Sequence, residues 1–398
     1  MGIYIRAAAL AVLLPVLVLA QARQTTVSTS AGPLQLEQLA TLEFPWGMAV
    51  LPDGRLLITE KPGRLRIFAN GRLSPPIQNV PPVSYRERPT EQGGLLDVAI
   101  DPDFTRNRRI YLSYSEAAPH PSAARDAGDP RFGGYLDPTD NRLNGGAVAR
   151  AVLDGTQLRD VQVIWRQEKT TGRGHFGHRL VFGGDGTLFI TSGERMRFDP
   201  AQSLSSNLGK VVRINTDGSL PKDNPFAGEP AARGDIWTLG HRNILAAAVH
   251  PTTGDLWVWE MGPLGGDELN IIQRGRNYGW PVVSDGDNYD KSPIPDHATR
   301  KEFERPIRTW TPVISPSGAL FYQGSLLPWR GDAIAGGLSS KTLIRLDLDG
   351  TRVTREERID LQRRVRDVAE APDGSLLVIT DEKNGALLRL APASDEDR

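Results

Sequence analysis

A strand–turn–strand unit recurs six times along the chain, and this repetition restricts the possible folds more than any other feature. The copies read GMAVLPDGRLLITE (47–60), DVAIDPDFTRNRRIYLSYSE (97–116), HRLVFGGDGTLFITSGE (178–194), AAAVHPTTGDLWVWE (246–260), SGALFYQGSLLPWRGDAIAGG (317–337) and DVAEAPDGSLLVITDE (367–382). The fifth is degenerate. The other five share a strand, a Pro/Asp/Gly turn, and an apolar strand that ends in an acidic or small polar residue. β-rich runs around Asp-Gly-type turns signal hairpins. A hairpin cannot bury its own apolar face, so a repeated one must stack on its neighbours. The intervals leave room for four strands per unit. The expected fold is therefore all-β, a six-bladed β-propeller of four-stranded antiparallel blades around a central channel. The alternating run LQLEQLATLEF (34–44) would close the ring against the last blade.

The 398 residues would suggest two or three domains by length alone, but a closed ring of blades is one body. We read residues 1–22 as a signal peptide, 23–34 as a flexible mature N-terminus, 35–392 as the propeller and 393–398 as a flexible tail. Arg6 precedes the apolar run AAALAVLLPVLVLA (7–20), too short to favour a membrane span, and Ala20-Gln21-Ala22 offers a small-x-small cleavage pattern. An uncleaved anchor is the alternative. The chain has no cysteine, which excludes disulfides, thiolate metal sites and cysteine nucleophiles, and suits a periplasmic protein. A formal charge of −1 gives no field for nucleic acid or an anionic membrane. Three stretches rich in Gly, Pro and Asp (117–147, 195–235, 281–312) would wall the channel mouth.

Several clusters carry chemistry. His175 lies in a glycine-flanked approach to the third repeat, and an imidazole at a channel mouth suits a general base; a surface loop histidine is the bland alternative. His178 is expected to pack or cap locally, although a His-x-x-His metal pair is conceivable. The glycines of GRGHFG (172–177) run into a strand rather than a helix, which argues against a dinucleotide site. Arg242 and Asn243, in GHRN (240–243), offer a forked cation and an amide for an oxygen that gains negative charge. Gly262-Pro263 would present consecutive carbonyls, with Asp267-Glu268 close by, an oxygen-rich turn suited to calcium. Arg364 and Arg366 are spaced i, i+2, so on a strand they face one side and need an anion between them. Lys341, from the preceding blade, could add a third cation. Gln92, in the flexible approach EQGG (91–94), could touch a ligand.

Together these clusters resemble the pyrroloquinoline-quinone (PQQ)-dependent soluble sugar dehydrogenases, in the aldose branch of the glucose/sorbosone dehydrogenase family. EQGGLLDVAIDP (91–102), GHFGHRL (174–180), GHRN, EMGP, DELNII, NYGWP (277–281) and PVISPSG (312–318) fall in family order. The resemblance implies an enzyme, a periplasmic quinoprotein oxidising aldoses at C1 to lactones, with PQQ and Ca2+ as cofactors. It implies that His175 is the catalytic base, supported by Glu194 where relatives carry an aspartate. It implies that Gln92, Arg242 and Asn243 contact cofactor or substrate, with Arg242 and Gln92 also serving catalysis. Lys341, Arg364 and Arg366 would bind the cofactor's carboxylates, and the Gly262 and Pro263 carbonyls would hold calcium. A second calcium in VSDGDN (283–288) is suggested by composition. Gly174 stands where glucose-oxidising relatives place an aspartate, which favours broader aldose use. The implied partners are an aldose and an unidentified electron acceptor, with no nucleic acid and no membrane insertion after signal removal, as monomer or homodimer. A calcium-dependent sugar lactonase and a non-catalytic binding propeller remain open on the same scaffold.

Overall fold

The computed structural model describes residues 25–88, 91–121, 129, 131 and 142–393. The expected signal peptide, nearly all of the tail and much of the 117–147 stretch lie outside the described residues.

Six antiparallel sheets form the blades of a β-propeller. Each sequence repeat supplies the two inner strands of one blade. They are Pro45–Val50 with Leu56–Glu60, Leu95–Ile100 with Arg109–Ala117, Gly177–Phe182 with Leu188–Ser192, Ile244–Val249 with Leu256–Glu260, Pro316–Phe321 with Ala333–Gly337, and Val365–Glu370 with Leu376–Thr380. Blades one to five take their strands in chain order, and the short turn pair Leu264–Gly265 with Gly286–Asp287 is inserted in the fourth. In the sixth, Gly385–Pro392 pairs with Gly32–Leu42, so the N-terminal segment closes the ring as its alternation predicts.

Residues 25–33 depart from the expectation of a flexible terminus. Thr25–Thr29 and Gly32–Leu42 make a hairpin on the outer edge of the last blade. Val27 is buried, and Ser30 is anchored by its hydroxyl to Glu357 at 2.8 Å. A Ser/Thr-rich composition looked solvated, but the threonines are β-formers once an edge is available to pair.

Apolar side chains fill the gap between each pair of neighbouring blades. Leu57, Leu95 and Leu112 pack between blades one and two, Trp259, Phe321 and Ile344 between four and five, and Met48, Leu56, Leu377 and Leu387 across the closure. Among the described residues no helix is long and apolar enough to cross a membrane.

The channel end of every blade carries the same irregularity. In all six, the register between the two inner strands slips by one residue near the start of the inner strand. Such bulges turn side chains and re-aim backbone groups. Buried hydroxyls staple three of them to the next blade. Thr59, Ser113 and Thr191 accept the backbone N–H of Gly47, Asp97 and Arg179, and donate to the carbonyls of Leu96, His178 and Ile244. The bulges also point Asp97, Arg179 and Asp367 into the axis. Arg179 lies 3.2 Å from Asp97 and 3.1 Å from Asp367, and its guanidinium stacks under Trp46 at 4.3 Å. Two carboxylates share this one guanidinium. Burial pushes Asp97 up to about 6 and raises Asp367 as well. This plug is capped by Trp46, Leu96, Phe176 and Leu245, of which Trp46, Phe176 and Leu245 make a floor.

Candidate active site

Above that floor is a cavity of about 500 Å3. Its chemistry divides between two walls.

One wall comes from the third blade. His175 and His178 both have left-handed backbone (φ 49° and 74°), as do Arg195, Met196 and Phe198 in the loop that follows the second strand. Non-glycine residues rarely adopt this conformation, and clustering of it marks a built site. The loop wraps Glu194 around His175. Glu194 Oε1 lies 2.5 Å from His175 Nδ1, while Oε2 accepts the backbone N–H groups of Phe198 at 2.9 Å and of Arg197. Gly193 makes this possible, because a Cβ there would lie 2.1 Å from the His175 carbonyl. Gln92 accepts the His175 backbone N–H at 2.8 Å and lines the cavity with it. Burial, helped by the positive charge of Arg242, lowers the His175 pKa against the opposing pull of Glu194. Burial alone would raise Glu194, but His175 and Arg242 outweigh it and the carboxyl is lowered. At neutral pH the pair is a neutral imidazole donating from Nδ1 to a carboxylate, which leaves the lone pair on Nε2. That is the arrangement of a general base with its orienter.

His178 is not part of this site. It is fully buried, its Nδ1 meets the Phe176 carbonyl, and Gly146 packs against its ring. Burial pushes its pKa down to about 3.

The opposite wall comes from blades six and one. Arg364 Nη2 lies 2.9 Å from Asp381 Oδ2, and Arg366 Nη2 lies 2.8 Å from Asp381 Oδ1. The two arginines do share a face, and the chain itself supplies an anion between them. Lys61 Nζ stands 4.0 Å from the same carboxylate. These cations hold Asp381 far below the usual carboxylate range despite its burial. Lys341 follows the turn at 338–340 and is exposed with a left-handed φ of 60°; Leu338, just before that turn, lines the cavity and Lys341 does not.

Arg242 and the EMGP turn lie beside the main cavity. Arg242 donates from Nη1 to the carbonyls of Met261 (3.0 Å) and Gly262 (2.9 Å), and from Nη2 to the Tyr289 hydroxyl (3.1 Å). Glu260 braces the turn, meeting the Arg242 backbone N–H and His241 Nδ1, the latter at 2.9 Å. Asn243 is buried next to them, its Nδ2 3.7 Å from Met261 Sδ and its Oδ1 without a hydrogen-bond partner. Asp267 fixes the turn through the backbone of Gly262 (2.8 Å), Ile314 and Ser315. Pro263 is buried. Among the described residues no group of three or more His, Asp or Glu is placed to hold a metal, the VSDGDN run included. Its Asp285 instead accepts the His297 backbone N–H at 3.2 Å.

Sequence reasoning missed Lys61, Asp381, Trp46, Met196 and Tyr289. The recurring acidic end of each second strand was the available signal for Asp381, as it was for Glu194.

The fold and site define a six-bladed propeller with a His–Glu pair facing a cationic wall. The profile of the family described as Glucose / Sorbosone dehydrogenase matches residues 42–389, and the chain belongs to that family. The aldose sugar dehydrogenase YliI of Escherichia coli is 40% identical over 361 residues, covering 88% of this chain and 91% of its own. The crystal structure of the soluble aldose sugar dehydrogenase from E. coli in the apo-form superposes with a TM-score of 0.81 at 38% identity, covering 90% of this chain and 100% of that one. The PQQ-bound form of aldose sugar dehydrogenase from Streptomyces coelicolor superposes with a TM-score of 0.69 at 26% identity, covering 92% and 99%.

Proposed function

We propose that the protein is a quinoprotein that oxidises aldose sugars at C1 to lactones, in the periplasm after removal of residues 1–22. The observation that carries this reading is the single cavity that sets a buried His–Glu base opposite a wall of cations. Pyrroloquinoline quinone, when bound, supplies the two-electron acceptor that no side chain provides. The residues fit such a group. Arg364 and Arg366 point guanidinium groups into a cavity where Asp381 neutralises only part of their charge, and guanidinium forks suit carboxylates.

His175 Nε2 takes the proton of the sugar's anomeric hydroxyl, which makes C1 a hydride donor. Glu194 keeps the imidazole in the correct tautomer and orientation. Gln92 fixes the His175 backbone and borders the substrate space. Arg242, close enough to His175 to lower its pKa, stabilises negative charge on that side of the cavity, and Asn243 adds an amide.

Calcium is proposed at the Gly262-Pro263 turn. The Gly262 carbonyl accepts a hydrogen bond from the Arg242 guanidinium, so calcium would take the place of that donor on the same oxygen. Two neutral carbonyls make an incomplete ligand set, and the cofactor's own oxygens would complete it. A lactonase on the same scaffold would have no need of the paired Arg364 and Arg366 on the cavity wall.

Dye reduction by the purified apoprotein with a panel of aldoses, before and after adding pyrroloquinoline quinone and calcium, tests the reading. Activity that appears only with both is the expected result, and a chelator should abolish reconstitution. No activity and no absorbance change on titration with the quinone would refute it.

A further inference from the structure

Three cations address one carboxylate in the cavity wall, and they are not held alike. Arg364 and Arg366 each make a short ion pair to Asp381. The Lys61 ammonium, on a residue 9% exposed, makes only long contacts among the described residues, at 3.5 Å to the Glu91 carbonyl and 4.0 Å to Asp381 Oδ1, and sits 5.2 Å over the Phe44 ring. The nearby Glu91 carboxylate is taken by Arg88 at 3.2 Å and Arg142 at 3.5 Å. A buried ammonium is costly unless it is paired and hydrogen-bonded.

The backbone under Lys61 is nonetheless rigidly fixed. Its N–H donates to the Phe44 carbonyl at 2.9 Å, its carbonyl accepts from Leu95 at 3.0 Å, and Gly94 packs so close that a Cβ would lie 2.2 Å from that carbonyl. The chain thus holds a loosely bonded ammonium at a fixed place on the cavity wall, beside two arginines whose charge one aspartate cannot balance.

We propose that Lys61 is the third cation of the carboxylate-binding wall, bonding directly to a carboxylate of the cofactor in the role that the family resemblance implies for Lys341. This rests on the quinoprotein reading above. An incoming carboxylate gives Lys61 the short partner it lacks and brings the wall closer to neutrality.

Titration of the apoprotein with pyrroloquinoline quinone, followed by quenching of tryptophan fluorescence from the cavity floor, tests the assignment in wild type, K61M, K61R and K341M. K61M should weaken the Kd about tenfold to a hundredfold, the range for a charge-assisted hydrogen bond. K61R should stay within about threefold of wild type and K341M within about twofold. Wild-type affinity in K61M would overturn the assignment, and so would an equal loss in K61R and K61M, which would make the residue a structural support. Wild type that does not bind the quinone at all would instead remove the function on which the assignment rests, and the assignment with it.

Discussion

Glu194 reaches His175 with one carboxylate oxygen, at 2.5 Å, and the backbone N–H of Phe198 with the other, at 2.9 Å. The orienting carboxylate is itself oriented, by a loop in which Arg195, Met196 and Phe198 hold left-handed conformations. The single-methylene difference from an aspartate is thereby absorbed, because the longer side chain is gripped at its far end.

The first prediction concerns this pair. Glu194→Gln should lower kcat about a hundredfold or more while leaving cofactor affinity close to wild type. In the wild type the acid limb of kcat/KM should lie below the ordinary histidine pKa, since burial and Arg242 both depress His175. The Glu194 carboxylate opposes that depression, so its removal should move the limb to still lower pH. A limb that moves upward, or an unchanged plateau, would count against the assigned role.

His178 provides a prediction about stability. Its folded pKa, about 3, lies below the unfolded value of roughly 6.5, so on acidification the unfolded chain takes up a proton first. Stability is therefore lost as pH falls through the interval between them, at about 1.4 kcal/mol per pH unit from this residue. His178→Gln should be less stable at pH 7 but should lose about 2 kcal/mol less than wild type between pH 6.5 and 5, measured by urea unfolding. Parallel stability curves for the two proteins would contradict the assignment.

Gly174 and Met196 should behave as a coupled pair. A Cβ at Gly174 would lie 2.7 Å from Met196 Sδ, and Met196 packs with Phe198 and Trp280 while lining the cavity. Gly174→Ala should cost about 1–3 kcal/mol, and adding Met196→Ala should recover part of it, with a coupling of about 1 kcal/mol or more in a double-mutant cycle. Strict additivity would show that Met196 does not occupy that space. An acidic side chain at 174 would need the same room, so Met196 would have to shift to admit it.

The fold was largely legible because each hairpin repeat carries its own turn chemistry and apolar strands, and six such units have few ways to bury their faces. The site was legible where chemistry is local. His175 announces itself by flanking glycines, and Arg364 with Arg366 by i, i+2 spacing. Lys61 and Asp381 were not legible, because they meet only through ring closure between the first and last blades and no sequence pattern links them. For Lys341 the sequence offers only its place in the preceding blade and the family resemblance, neither of which foretells the turn at 338–340 after which it is exposed. The N-terminal strand at 25–29 escaped notice because its partner edge is created by the C-terminal blade.

On the proposed function the cavity separates cofactor binding, on the cationic wall, from proton removal, on the His175 wall. Comparing reconstituted His175→Gln with wild type in a single-turnover stopped-flow measurement with an aldose, alongside quinone titration of both apoproteins, tests this directly. The two apoproteins should share the same Kd for the quinone, while the sugar-oxidation rate of His175→Gln should fall about a hundredfold to ten-thousandfold. An unchanged rate, or a rate lost only in proportion to weakened binding, would contradict it.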